Sequence, residues 1–292
     1  MTTDLLKHLS SGEGSPKLWI DFNVYAKKLL LGDGENPWAS PAEYMSFYSQ
    51  AHSLVKADIV VLNVWDLFQH WMQEDKKAIP SMSGKKRIAV ALKTMLEAFA
   101  PRELLAEVIT ALSNKYGGSV PMVLVMPSPR SFIAKAHKAA NGVDVEPEES
   151  NVESAAMYVA DYLRYYSETE LSGVLLMEDP ELLPASGEEL SWYQPVFNVA
   201  KHYRWSVGVH LPSVDDGFVL PDDIDFTIVP AQSTAAANAM GLDITQSLWD
   251  GQGVDNLAAQ DLVNKDNSFY YLSIPTDTKP ELVLERLSDL RG

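Results

Sequence analysis

The sequence predicts an α/β fold, a (β/α)8 barrel of the TIM type. Eight short apolar runs alternate with segments of helical periodicity along one chain of 292 residues, and that alternation is the mark of a parallel sheet wrapped by helices. Several of the runs are continuously apolar rather than alternating, as in ADIVVLNVWD (57–66), which suits strands covered on both faces. No Gly-x-Gly-x-x-Gly follows the first run, so an open doubly wound sheet is the second choice.

Residues 1–17 are polar and rich in Ser and Gly, a short helix or loose lead-in to a single barrel domain over 18–292. LWIDFNV (18–24) gives the first strand, and a long Gly- and Pro-containing loop follows. Ser40-Pro41-Ala42-Glu43 has a helix N-terminus written into it, with Ser as cap, Pro at the first helical position and Glu in the first turn. That helix runs to about Val55. The second strand is 57–66, followed by a second long loop. A helical stretch over 85–115 is divided near Pro101. VPMVLVMPSP (120–129) is the third strand, with helices over 130–140 and 151–169 behind it. GVLLMED (173–179) is the fourth and is followed by a helix over 188–202. RWSVGVHLP (204–212) is the fifth and DFTIVPAQ (225–232) the sixth. A short helix at 235–240 precedes a seventh strand at 243–249. A helix at 254–264 leads to FYYLSIP (269–275), the eighth, and the last helix is 279–290.

The formal net charge is −17, which excludes most nucleic-acid binders, because phosphate recognition needs clustered Lys and Arg, and disfavours anionic membrane surfaces. There is no cysteine, hence no disulfide, thiolate zinc site, iron–sulfur cluster or cysteine nucleophile. With no apolar run of signal-peptide or membrane-spanning length, a cytoplasmic protein acting on a small molecule is expected, with a homodimer as an open option.

In a barrel the chemistry gathers at the C-terminal ends of the strands. His210 stands there in RWSVGVHLP, and Asp66, Glu178 and Asp179 follow apolar runs. These four are the candidate catalytic residues. Asp21, Asn23, Tyr25, Trp65, Ser128, Arg130, Gln232 and Asp250 are candidate substrate-binding residues at or beside the same ends. Adjacent buried carboxylates repel and raise one pKa, which makes a general acid. Arg130 is the only arginine of the set and is suited to a substrate carboxylate. Each residue also has a plainer use: His210 as a bonded core residue, Glu178-Asp179-Pro180 as a turn, Asp250-Gly251 as another. No Gly-x-Ser-x-Gly, His-Glu-x-x-His or phosphate-binding loop is present, so acid/base chemistry without a metal or cofactor is favoured over a serine hydrolase.

Several segments in this order resemble the uroporphyrinogen decarboxylase superfamily, which also contains corrinoid-linked methyltransferases and cobalamin-independent methionine synthase. ADIVVLNVWDLF resembles its second-strand segment, whose terminal aspartate corresponds to Asp66. GGSVPMVLVMPSPRSFI, GVLLMEDPELL, the stretch from Asp225 through Gly241 to Asp250, and TKPELVLERLSDL resemble later segments. The resemblance implies a TIM barrel with lyase or transferase chemistry at its C-terminal mouth. There Asp66 orients the substrate or stabilises positive charge, Glu178 or Asp179 is the acid/base, and His210 is a second acid/base or a donor. The decarboxylases' N-terminal arginines have no counterpart in LWIDFNVYAKKLLLG, and their late histidine is replaced in YYLSIPTDT. The methyltransferases' His-x-Cys becomes His210-Leu211-Pro212. Two alternatives stay open. One is a corrinoid- or folate-linked methyltransferase component, with a zinc held by oxygen and nitrogen ligands at His210 and Glu178. The other is a non-catalytic binding member.

Overall fold

Each apolar run yields a strand shorter than itself, because polar residues at its C-terminal end turn the chain into a helix. A computed structural model describes residues 3–10, 16–32, 35–215, 218–233, 240–250 and 269–292. The strands are β1 Leu18–Asp21, β2 Val60–Asn63, β3 Met122–Pro127, β4 Gly173–Met177, β5 Ser206–His210, β6 Phe226–Pro230, β7 Gly241–Asp243 and β8 Phe269–Ser273. They pair in the order β1-β8-β7-β6-β5-β4-β3-β2, and every pair is parallel. The remaining gap, between β1 and β2, is bridged by one residue. The Asp58 amide donates to the Leu18 carbonyl at 3.1 Å, and its carboxylate accepts from the Leu18 amide at 2.8 Å and from Lys17 at 3.2 Å. The chain is a TIM barrel.

The ends of β2 and β7 correct the sequence reading. The Asn63 side chain accepts from the amides of Trp65 and Asp66, capping helix α4 (Val64–Glu74). Trp65 and Asp66 therefore lie in the first turn of a helix, not on a strand. Asp243 ends β7 rather than beginning it: its carboxylate accepts from the Thr245 amide at 2.9 Å, and the expected strand at 243–249 is instead a helix, Thr245–Trp249 (α12). The expected long loops after β1 and β2 are largely helical, with α2 (Asn23–Leu30), a 3-10 turn (Pro37–Ala39), α4 and α5 (Ala78–Met82). Asx caps at Asn36 and Asn63 replace the Ser/Thr-x-x-Glu pattern that marks a helix start most clearly.

The other helices lie close to expectation. They are α3 (Pro41–Val55, capped by Ser40), α6 (Ala89–Leu96), α7 (Phe99–Tyr116), α8 (Pro129–Asn141, capped by Ser128), α9 (Glu149–Arg164), α10 (Gly187–Ser191), α11 (Gln194–Tyr203) and α13 (Pro280–Arg291). The helices expected at 235–240 and 254–264 fall outside the described residues, save Met240. No helix among the described residues is long and apolar enough to cross a membrane.

The core has two layers. The larger lies between sheet and helices. The smaller fills the barrel with Trp19, Val123, Leu175, Phe226, Phe269 and neighbours. Centroid separations within the Trp19, Phe226 and Phe269 trio are 5.9–6.0 Å. Room for two of these rings comes from glycines opposite them in register. A Cβ on Gly208 would lie 2.2 Å from the Phe226 ring, and one on Gly241 would lie 2.6 Å from the Phe269 ring. Helix α1 (Leu5–Leu9) closes the N-terminal end, with Leu5 and Leu9 buried in the inner cluster and the His8 ring bonded to the Asp58 carbonyl.

Candidate active site

Side chains alternate across a strand, so the inner cluster fixes which strand-end residues enter the barrel. Trp19, Phe226 and Tyr271 belong to it, Phe226 covers Gly208, and Phe269 covers Gly241. Two residues beyond Trp19, Gly208 and Gly241 come Asp21, His210 and Asp243. With Tyr271 these polar groups cap the aromatic filling at the C-terminal mouth.

His210 Nε2 lies 2.9 Å from Asp243 Oδ2, and its ring packs on that of Tyr271 with centroids 4.9 Å apart. His210 is only 7% exposed, and its Nδ1 is buried without a partner. Burial pushes the Asp243 carboxyl up, but the His210 bond and charge, with Thr245, outweigh it and hold Asp243 below the usual aspartate range. Asp21 is driven the other way. Burial and then the charge of Asp66 raise it, against weaker opposition from the Asn23 amide, Lys27 and His210. Tyr271 is raised well above an ordinary tyrosine by burial, by the charges of Asp21 and Asp243, and by its hydroxyl's bond to Asp21. At the rim Lys27 on α2 meets Asp66 on α4 at 3.0 Å. One mouth thus holds an aspartate that keeps its proton unusually long, an aspartate that loses it unusually early, and an imidazole bonded to the second.

Of the four candidate catalytic residues, His210 and Asp66 reach this mouth and Glu178 and Asp179 do not. Met177 packs on the inner cluster, so Glu178, the next residue, turns outward. Its carboxylate accepts from the Tyr193 hydroxyl at 2.5 Å, from Arg130 at 3.2 Å and from Ser131 at 3.3 Å. Arg130 is also fixed by Glu189 and the Leu183 carbonyl, and Ser128 bonds Ser131 and Tyr193. Burial opposes the Arg130 charge, but Glu178, Tyr193 and Glu189 prevail and raise its pKa. This buried network ties α8 to the α10–α11 junction; it removes Arg130 and Ser128 from the mouth and separates Glu178 from His210 as a metal pair. Among the described residues no three His, Cys, Asp or Glu side chains cluster closely enough to hold a metal.

Asp179 pairs with Lys135 at 2.6 Å, and its carboxyl is lowered because Lys135 and the Glu181 amide outweigh burial. With Trp65, Lys138 and Glu181 it lines a cleft of about 630 Å³ on the outer side of α8. Tyr25 is wedged in an apolar crevice beside α3 and α13. Gln232 bonds Ser247, and Asp250 is exposed at the end of α12. Asn23 is 4% exposed at the start of α2, with its Oδ1 buried and unpartnered. The residues that sequence reasoning missed are Asp243, Tyr271 and Lys27. For Tyr271 a signal was present, since Phe269, Tyr271 and Ser273 share one face of β8 once Pro275 fixes its end. A comparison with known protein families and with curated proteins finds no significant match for the chain.

Proposed function

We propose that the chain is an enzyme that transfers protons to and from a small organic substrate at the barrel mouth, a lyase of decarboxylase or elimination type within the uroporphyrinogen decarboxylase-like barrels. The observation that carries this is the His210–Asp243 pair with the second imidazole nitrogen buried and unpartnered. An ionised Asp243 fixes the hydrogen of His210 on Nε2 and leaves the Nδ1 lone pair for a substrate proton. When Nδ1 takes that proton, Asp243 stabilises the imidazolium. Asp21, which retains its proton to higher pH than a solvated aspartate, is the matching acid. Two carboxylates whose surroundings push their ionisations apart are the usual sign of divided acid and base roles. In a lyase His210 accepts the proton of the breaking C–H bond, or Asp21 protonates the carbon or leaving group. Asp66 and Lys27 orient the substrate at the rim. The segment-by-segment resemblance supports the family placement, with Asp66 standing in the first turn of α4 just beyond β2 rather than at the strand's end.

Solvent exchange tests the reading before any product is identified. Small carbonyl compounds, amines and acids incubated with the protein in heavy water should gain deuterium, as followed by NMR. His210→Gln and Asp243→Asn should each slow the exchange by about 10²–10⁴-fold. Exchange that survives both changes would overturn the assignment.

A further inference from the structure

We infer that the mouth selects a small organic cation, a protonated amine, in preference to a carboxylate or phosphate; this rests on the mouth being the substrate site. The ammonium group is placed against Asp21 and Asp66, with one N–H donated to His210 Nδ1; the amine enters as its free base and takes its proton from Asp21, the acid of the site, leaving the Asp21 carboxylate as its counter-ion. The inference has three independent supports.

The first is what is missing among the described residues. Recognition of a substrate anion needs an uncommitted Arg or Lys. Arg130 is sequestered behind the barrel wall by Glu178, Glu189 and the Leu183 carbonyl. Lys27, the cation whose charge reaches Asp21, is held by Asp66 at 3.0 Å. The second is what is present: Asp21, Asp66 and Asp243 converge on one mouth, and clustered carboxylates suit an ammonium ion. The third is the hydrogen-bond balance. His210 is more than nine-tenths buried, and its unpartnered atom is Nδ1. With Nε2–H committed to Asp243, Nδ1 is an acceptor. Buried acceptors without donors are costly, and a ligand rich in N–H groups supplies donors. The repulsion between Asp21 and Asp66 is relieved by the same positive charge. The full chain adds a long-range field of the same sign through its net charge of −17.

The test uses three probes of nearly one shape and different charge: benzylamine, benzyl alcohol and benzoate. The full-length protein carries ¹⁵N-histidine, so that the His210 ring resonances, assigned through His210→Gln, report the mouth directly. Benzylamine should shift the His210 signals saturably and bind at least about tenfold more tightly than either other probe. Asp21→Asn should weaken benzylamine by about tenfold or more, and Lys27→Gln, which unmasks Asp66, should strengthen it. A purely structural role for Lys27 predicts weakening instead. Benzoate binding as tightly as benzylamine at His210 would overturn the ligand class and leave the acid/base reading standing. If no probe moves the His210 resonances, the mouth fails as a binding site and both readings fall.

Discussion

At the residue scale the two aspartates driven apart in the mouth have opposite linkages to folding. Asp21 has a raised pKa in the native state, so between the unfolded value, about 3.9, and its folded value the native state binds more protons and stability falls as pH rises. Asp21→Asn removes that penalty. The variant should be more stable than the wild type at pH 7, and the gain should shrink on acidification and vanish below about pH 4. Urea unfolding at a series of pH values reads it, and a gain independent of pH would refute the assignment. Asp243 has the opposite sign: its lowered pKa contributes stability above the unfolded value that is lost as pH falls through the folded one. Glu178 belongs to a different problem. Its side chain is 2% exposed and that of Arg130 is 3% exposed, so Glu178→Gln leaves a buried guanidinium with only Glu189 as its carboxylate. The expected loss is about 3 kcal/mol, seen as a lower urea midpoint, while solvent exchange at the mouth persists. A stable Glu178→Gln protein that had lost exchange would return Glu178 to the chemistry.

At the scale of the element, what was legible and what was not have separate physical causes. The strands were legible because a parallel barrel wall is apolar on both faces, and the helix start at Ser40 because a hydroxyl cap followed by proline has few other uses; the same pair at Ser128-Pro129 was read as the end of the third strand and is instead the cap and first residue of α8. The point where a strand becomes a helix was not legible. It depends on one side chain folding back on the backbone, as Asn63 does to the amides of Trp65 and Asp66, and an apolar residue just beyond it continues the strand pattern. That same ambiguity hid Asp243, because GLDITQSLW is as apolar after the aspartate as before it. His210 was found because Pro212 closes its strand. Glu178 was misplaced because alternation says which neighbours share a face but needs one inward residue to set the phase. Glycine carries such phase information: Gly208 and Gly241 are small because Phe226 and Phe269 lie over them, an aromatic ring covering a glycine on the paired strand. Gly208→Ala should therefore cost about 1–3 kcal/mol by overpacking. Gly208→Ala combined with Phe226→Leu should recover part of it. If the single change is neutral in urea unfolding, the ring is not confined as described.

At the scale of the whole molecule TIM barrels as a class keep stability at one end and chemistry at the other, and the proposed site lies at the second of these. The aromatic trio fills the middle of the barrel, the polar group of Asp21, His210 and Asp243 crowns one end, and α1 closes the other. Leu5 and Leu9 are 1% and 2% exposed, and Leu5 lies over Gly173 at the start of β4. The segment 1–17 is thus more than a lead-in, since α1 within it completes the inner core. Hydrophobic periodicity could not announce this, because a five-residue helix offers little more than one turn. Leu5→Ala with Leu9→Ala should lower stability by about 4 kcal/mol, at about 2 kcal/mol or more for each buried leucine lost, which calorimetry or urea unfolding would measure. A plug that only supports the barrel leaves the opposite mouth unchanged. The folded double variant should accordingly keep its ¹⁵N His210 signals and its exchange rate within about twofold, a difference of under 0.5 kcal/mol in barrier. If stability is unaffected, α1 is not part of the core. If the fold survives but the His210 signals and exchange collapse together, the two ends are mechanically coupled through Trp19, Phe226 and Phe269, and the division of labour between them does not hold.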